Sequence, residues 1–208
     1  MRLGISRRSA ATQSAYTLEL RMGTFVRGTA TPTVPPAITS AGAVFTGTEY
    51  WTLDQEIACL ASNGYTIIAD WTGSSNTQSS MFGKAGSPNQ AFFRRITSDP
   101  NAFQLYARSG LTLAPAITAV SATARRICIA RGNATFRDGI QNGTKHTTAS
   151  SIGDFDILTI GRVATSFFSG TLHNLLIAHR ILTDAECNDE CNYLASLTDA
   201  GAVSWTNL

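Results

Sequence analysis

The chain has 208 residues and a net charge of +2, and only 14% of its residues are charged. A chain of this length can bury a full hydrophobic core, and its low charge content favours neutral partners over electrostatic steering. Basic residues are too sparse for a nucleic-acid-binding module, and no apolar run reaches the ~20 residues that cross a membrane.

Residues 1–40 are predicted to form a basic, extended arm that ends in a proline-rich linker. This segment carries a charge of +4, so the rest of the chain carries −2. The arginines predicted to anchor the arm on a partner surface are Arg2, Arg7, Arg8, Arg21 and Arg27. Three prolines in TATPTVPPAITSAG favour extended structure and remove backbone donors. One strand is expected near Tyr16–Arg21, and a solvated tail is the alternative interpretation of the arm.

Residues 41–208 are predicted to be one domain of short strands separated by turn residues. The expected strands are AVFTG, YTIIADW, SMFGKAG, QAFFRRITS, AFQLYARSG, RRICIAR, FDILTIGR and GTLHNLLIAHR. Gln55–Leu60 is expected to be a turn or short helix. A hairpin is predicted over Gly132–Asn133, and the D-G and N-G pairs of RDGIQNG are strong turn signals. The pattern predicts an all-β, two-sheet antiparallel sandwich of the jelly-roll type.

One helix is predicted, over residues 183–197. Thr183 is followed three residues later by Glu186, which is the spacing of a capping box. Asp184 adds negative charge where the helix dipole favours it. The acidic residues of this segment are therefore interpreted as a helix start.

Five short motifs resemble those of a known group of sandwich proteins. They are a phe-x-gly opening, a strand ending in Trp, a D-G turn, an l-x-i-G strand and a closing strand followed by r-x-L and a Glu. The matching positions are Phe45–Gly47, Thr66–Trp71, Phe136–Gly139, Leu158–Gly161 and Gly170–Glu186. In this order the motifs resemble the laminin G-like branch of the concanavalin A-like lectin/glucanase superfamily, with Ala178 and His179 in place of its usual aromatic. The resemblance implies a curved sandwich that recognises carbohydrate or protein on its loops or concave face.

Carbohydrate binding commonly uses an aromatic platform beside polar side chains. Trp51, Trp71 and Tyr106 are the candidate platforms, and Asn76 and Gln78 are the candidate polar rim. The alternative is that each aromatic belongs to the core.

The sequence offers candidate ligands for two metal sites, although no cofactor is predicted. Asp138 and Asn142 are candidate calcium ligands, because some laminin G-like domains bind calcium through loop acids and carbonyls. Their alternative role is to form turns. Zinc would need about four converging nitrogen or sulfur ligands. The candidates are His173 and His179, on one strand face if the strand is regular, and Cys187 and Cys191, one helical turn apart.

The sequence lacks a recognisable catalytic constellation, and the protein is predicted not to be an enzyme. The Glu-x-Asp-x-x-Glu string that glucanases of this superfamily use is absent. Asp154 and Asp156 could share a strand face, but they follow Gly153 where turn acids are common. Asp70 is expected to cap loop amides over Thr72–Ser75.

The predicted function is that of a non-enzymatic, lectin-like structural or recognition protein. No continuous apolar stretch follows the N-terminal arginines, so a secretory signal is not expected. With the basic arm, this favours a bacteriophage virion component, such as a head decoration, fibre or tail-associated protein. The arm would bind other virion proteins in an oligomeric assembly. The alternatives are a free carbohydrate-binding module for a cell-surface glycan, located outside the cell or on its surface, and a glycoside hydrolase.

Overall fold

The computed structural model describes residues 16–73, 80–86, 90–96, 99–107, 112–113, 123–151 and 153–208. Between residues 90 and 113 it describes the backbone of the strands only. The fold is all-β, with two large antiparallel sheets and, in these ranges, one α-helix. No described helix is long and apolar enough to span a membrane.

The first half of the chain contributes eleven strands. They are β1 (Tyr16–Arg21), β2 (Thr24–Arg27), β3 (Ala30–Val34), β4 (Ala37–Thr39), β5 (Gly42–Thr46), β6 (Tyr50–Cys59), β7 (Tyr65–Gly73), β8 (Phe82–Lys84), β9 (Gln90–Ile96), β10 (Asp99–Ala107) and β11 (Thr112–Leu113). The second half contributes seven strands and the helix. They are β12 (Arg125–Gly132), β13 (Arg137–Gln141), β14 (Thr144–Thr148), β15 (Phe155–Ile160), β16 (Arg162–Val163), β17 (Ser166–Phe167), β18 (Ser169–Ala178) and α1 (Asp184–Ala195).

The strands form the two sheets of a sandwich, as predicted. Sheet A has the order β14-β13-β12-β7-β18-β1-β2, and β5 pairs with the other end of β18 and with β4. Sheet B has the order β11-β10-β9-β8-β15-β6-β3. A short ribbon joins β16 to β17. Every pairing in both sheets is antiparallel, so neighbouring strands are joined by turns and by crossings between the sheets.

Strand β7 shows why the sheets pack as they do. Ile67, Ala69 and Trp71 face the core between the two sheets, whereas Ile68 faces the opposite side of sheet A. There Ile68 belongs to a second apolar cluster with helix α1, through Cys187 and other helix residues. Because β7 is covered on both faces, its sequence is an almost continuous apolar run.

The predicted helix is confirmed, with its capping box. The Thr183 hydroxyl accepts from the Glu186 amide at 3.2 Å, and the Glu186 carboxylate accepts from the Thr183 amide at 2.9 Å. Helix α1 covers the outer face of sheet A, whereas the outer face of sheet B is at least partly exposed on β3, β6, β8 and β15.

The structure corrects the predicted arm over residues 16–39, which form β1–β4 instead. Strand β1 lies inside sheet A, between β18 and β2. Tyr16, Leu18 and Leu20 are buried, because the alternating apolar residues of β1 join the two cores. Residues 1–15 lie outside the described residues, so for them the arm stays a prediction.

Two local predictions are also corrected. Residues 55–59 do not turn but continue β6, because Ile57 and Cys59 keep the inward alternation of that strand. Asp138 and Gly139 lie within β13, whereas Asn142 and Gly143 form the turn to β14 with positive φ angles of 50° and 93°. The hairpin that joins β12 to β13 after Gly132 is confirmed.

A buried ion pair attaches helix α1 to sheet A. Arg125 on β12 donates to both carboxylate oxygens of Asp70 at 2.8 Å. Asn174 also donates to Asp70, so this carboxylate is occupied by side chains and not by the loop amides predicted for it. Arg125 further donates to the carbonyls of Leu194, Leu197 and Gly201, which lie at and beyond the helix C-terminus. Asp70 therefore has a structural role.

Candidate functional site

The two predicted tryptophan platforms lie in the core. Trp51 is 6% exposed and packs edge-on against Phe25 and Phe45, with ring centroids 5.2 and 5.4 Å apart. Trp71 is 2% exposed, and its ring contacts the Arg126 guanidinium. Both occupy inward positions of their strands, so neither can stack on a sugar.

The other predicted carbohydrate ligands are not placed by the structure. Asn76 and Gln78 lie outside the described residues. Tyr106 lies on β10, where the structure describes the backbone only.

The calcium candidates are engaged by neighbouring protein groups. Asp138 accepts from Arg131 Nε at 2.9 Å and from Thr147 Oγ1 at 2.7 Å. The side-chain oxygen of Asn142 accepts from the amide of Ile127 at 2.9 Å. These contacts favour the turn and strand interpretation of RDGIQNG. Within the described ranges, no group of three or more His, Cys, Asp or Glu residues could hold a metal ion.

The four zinc candidates do not converge. A bulge in β18 between Leu172 and Asn174 breaks the regular alternation that predicted a shared face for the histidines. His173 is buried and bonds Thr72 and the carbonyl of Ala41, whereas His179 is exposed. Cys187 and Cys191 are buried thiols beneath the helix. Burial raises the pKa of Cys187 to about 11 and that of Cys191 well above the usual value, so both thiols stay protonated.

The two described arginines of the predicted arm belong to the sandwich. Arg21 is largely buried and forms ion pairs with Glu19 at 2.8 Å and with Glu190 of α1 at 2.6 Å. It therefore joins β1 to the helix and is not free to anchor a partner. Arg27 is exposed and donates to the carbonyl of Tyr16. Arg2, Arg7 and Arg8 lie outside the described residues.

The open face of sheet B is the best candidate site in the described part of the chain. On β6, Trp51, Leu53 and Ile57 face the core, so the even-numbered residues point outward. We define the open face by the polar and aromatic side chains that four adjacent strands direct outward. They are Thr31 and Thr33 on β3, Tyr50, Thr52, Asp54 and Glu56 on β6, Asp156 on β15 and Lys84 on β8.

Cross-strand hydrogen bonds orient the middle of this face. Thr31 Oγ1 donates to Asp54 at 2.9 Å, and the hydroxyls of Thr33 and Thr52 lie 3.4 Å apart. Hydrogen bonds from Thr29 and Thr31 lower the pKa of Asp54, so its carboxylate is ionised at neutral pH. The strands thus present a row of ordered hydroxyl and carboxylate oxygens to solvent.

A charged cluster lies at one end of the open face. Lys84 Nζ is 2.7 Å from Glu56 Oε1 and 3.1 Å from Asp156 Oδ2. The hydrogen bonds that Lys84 donates to Glu56 and Asp156 raise its pKa. Asp154 is the other candidate catalytic acid from the sequence. It accepts a hydrogen bond from the backbone amide of Ala61 at 2.7 Å, so it does not act together with Asp156.

An aromatic shelf lies at the other end and consists of Tyr50 and Phe167. Their ring centroids are 6.3 Å apart. The Arg162 guanidinium carbon lies 4.0 Å from the Tyr50 ring centroid and 5.6 Å from that of Phe167. All three side chains are half-buried. Sequence reasoning missed Tyr50, although the inward parity of Trp51, Leu53 and Ile57 in YWTLDQEIAC already indicates that it points outward.

A cleft of about 270 Å³ opens between the sheets beside β6. Its apolar floor is formed by Leu18, Leu53 and Ile57, and its polar lining includes Gln55 and His179. Glu56 lines this cleft as well as the open face, so the two features are continuous. This edge of sheet B therefore combines polar, charged and apolar surface within one region.

Several solved structures of other proteins have a similar fold. A Trypanosoma rangeli sialidase mutant with trans-sialidase activity matches 92% of this chain, at 12% identity and a TM-score of 0.64. Domain 4 of AbnA, a GH43 extracellular arabinanase from Geobacillus stearothermophilus solved with arabinotriose, matches 84% at 16% identity and a TM-score of 0.53. The binding domain of botulinum neurotoxin serotype D/C VPI 5993 matches 89% at 11% identity and a TM-score of 0.59. No family model and no curated protein matches the chain.

The neighbours differ in how much of them this chain spans. It covers 34% of the sialidase chain, 53% of the neurotoxin domain and 97% of the arabinanase domain. The prediction that the protein is not an enzyme is contradicted by the sialidases, because nearly all of this fold lies within those enzyme chains. At these identities the likeness establishes a fold shared with enzymes and with carbohydrate-binding proteins.

Proposed function

We propose that this chain is a carbohydrate-binding domain that holds a glycan on the open face of sheet B. The observation that carries the proposal is the ordered row of Thr31, Thr33, Thr52 and Asp54, which lies between an aromatic shelf and a charged cluster. The arabinanase domain that was solved with arabinotriose and matches over 97% of its length supports it.

The chemistry of the open face suits a sugar chain. Sugar hydroxyls can donate to the carboxylate of Asp54 and exchange hydrogen bonds with the threonine hydroxyls. The Tyr50 ring can cover the apolar face of a sugar ring. Because the strands hold these groups in place before binding, little side-chain entropy is lost when the glycan binds.

A glycan array with the full chain tests the proposal. We expect binding, and we expect Asp54→Ala combined with Thr52→Ala to weaken it about tenfold, since two hydrogen-bonding groups are lost. Lys145→Gln is the matched control, because Lys145 is on β14 at the far edge of sheet A. Glycan binding that is unchanged in the double variant would place the site elsewhere.

A second candidate function is glycan hydrolysis at the charged cluster. One observation favours it, namely that Glu56 and Asp156 both contact one lysine ammonium and are therefore side by side. Glycosidases use two carboxylates that flank the scissile bond. Release of sugar from polysaccharides by the wild type, lost in Glu56→Gln and in Asp156→Asn, would support it. No release by the wild type would rule out this role.

The role in a larger assembly is also a proposal. We propose that residues 1–15, with Arg2, Arg7 and Arg8, bind other proteins of an oligomeric assembly, such as a bacteriophage virion, and that the sandwich is of the laminin G-like type. The basic sequence of this segment supports the idea. Light scattering of the full chain, compared with a chain lacking residues 1–15, tests it. If both chains form particles with the same number of subunits, anchoring through this segment is contradicted.

A further inference from the structure

Arg162 differs in its surroundings from three other arginines of the sandwich. Arg21, Arg125 and Arg131 form ion pairs with nearby carboxylates. The Arg162 guanidinium instead contacts the faces of Tyr50 and Phe167. Within the described residues no carboxylate lies within ion-pair distance of it, and no hydrogen bond occupies its N–H groups.

The fold explains why the guanidinium is held there. Arg162 and Phe167 are directly paired across the β16–β17 ribbon, so their side chains are neighbours. Tyr50 is the first residue of β6 and supplies the second ring, with its centroid 4.0 Å from the guanidinium carbon. A cation over an aromatic face is attracted to it, so the two rings restrict the guanidinium. Its five donors then project from the rim of the planar group.

The acid closest in sequence to the shelf does not neutralise Arg162. Glu49 accepts hydrogen bonds from the Thr46 amide at 2.6 Å and from the Thr46 hydroxyl at 2.7 Å. Burial acts to raise the pKa of Glu49, but these hydrogen bonds hold it at about 2. The carboxylate is thus engaged by its own turn, and Arg162 keeps its donors for an external group.

We infer that Arg162 on the shelf of Tyr50 and Phe167 binds the carboxylate of an acidic sugar, so that the glycan of the open face contains a uronic acid. A carboxylate is planar and accepts two parallel N–H bonds from a guanidinium edge. Tyr50 belongs both to the shelf and to the open face, and it lies two residues from Thr52 on the same strand face. This inference rests on the proposed function, because it adds one charged contact to that site.

Isothermal titration with three matched ligands tests the inference. The probes are a galacturonate tetrasaccharide, its methyl ester and the corresponding neutral galactose tetrasaccharide. The ester keeps the ring and the linkages but removes the charge. For the wild-type chain we expect the acid to bind at least about tenfold more tightly than the ester, because the contact is charge-assisted and bidentate.

Variants of the full chain assign this preference to the shelf. Arg162→Gln should reduce the acid-to-ester ratio to about one, and Arg162→Lys should restore part of it, since lysine keeps the charge but loses the planar fork. Tyr50→Leu should reduce the ratio while Arg162 is still present. Lys145→Gln, which removes one positive charge at the far edge of sheet A, should leave the ratio unchanged. Melting temperatures of all variants verify that they are folded.

The possible results separate this inference from the proposed function. Binding of the neutral tetrasaccharide with no preference for the acid would overturn the inference and leave the carbohydrate site in place. An acid preference that persists in Arg162→Gln would overturn the role of this arginine. Failure of the chain to bind any glycan, on the array or in titration, would overturn both.

Discussion

At the residue scale, neighbouring aromatic residues have opposite roles. Tyr50 and Trp51 are adjacent, yet Trp51 lies between the sheets and Tyr50 lies on the open face. Their positions follow from strand parity, since Leu53, Ile57 and Cys59 fix the inward face of β6. The tryptophans that the sequence suggests as sugar platforms lie in the core, whereas parity within the strand places Tyr50 on the open face. The ring contacts of Arg162 can be identified only from the fold, because Tyr50 and Phe167 are far apart in sequence.

The buried pair of Arg125 and Asp70 gives a prediction on stability. Arg125→Met should reduce the free energy of unfolding by about 3–5 kcal/mol, because the Asp70 carboxylate would remain buried without its main partner. Urea denaturation monitored by circular dichroism measures this change. Lys84→Met, which removes the surface partner of Glu56, is the control and should lower the free energy of unfolding far less. Equal effects of the two variants would refute the assigned role of the buried pair.

A second residue-scale prediction concerns the turn at Gly143. Its φ is +93°, and a Cβ there would collide with the backbone of Thr206 in the C-terminal tail. Gly143→Ala should therefore displace the tail from the turn. Trp205 packs on the second core, so its fluorescence should shift towards that of a solvated indole. An unshifted emission spectrum would show that the added methyl group does not displace the tail from the turn. Gly47→Ala, where no atom lies within 4 Å of the added Cβ, is a control for strain at positive φ.

At the scale of elements, the sequence predicts strands and the helix well but misplaces what lies between them. The strand near Tyr16–Arg21, the strand YTIIADW and the capped helix are confirmed, because each has a clear local signal. Residues 24–39 have no such signal, since their strands are short and mostly exposed. They lie at the edges of sheets, where the one proline within them, Pro32 of β3, is tolerated. The strands with which they pair are set by the tertiary structure, which local sequence patterns do not show.

The cap of helix α1 predicts a pH dependence. A hydrogen bond from Arg180, together with those from Thr183, lowers the pKa of Glu186 from 4.5 to about 2. Because the folded pKa is below the unfolded one, this group stabilises the fold above about pH 4.5 and loses that contribution as the pH falls towards 2. The stability difference between the wild type and Glu186→Gln should therefore shrink over this window. Urea midpoints at pH 7, 4 and 2.5 measure it, and a constant difference would contradict the assignment.

At the scale of the whole molecule, the two sheets have different surroundings. Helix α1 and the C-terminal tail cover the outer face of sheet A with a second apolar cluster. Sheet B has a largely polar outer face on β3, β6, β8 and β15, where hydrogen bonds and ion pairs orient its charged groups. This asymmetry was not predicted, since the sequence does not tell which sheet the helix covers. It leaves sheet B as the surface on which an extended ligand can lie.

A nuclear magnetic resonance titration of the full chain, with a glycan that the array identifies, locates the binding site directly. We expect amide shift changes concentrated on β3, β6 and β15, with the largest at Thr31, Thr52 and Asp54. We expect little change on α1 and the strands beneath it. Changes centred on α1 or on β12–β14, with the β6 amides unmoved, would contradict the open face of sheet B as the binding site.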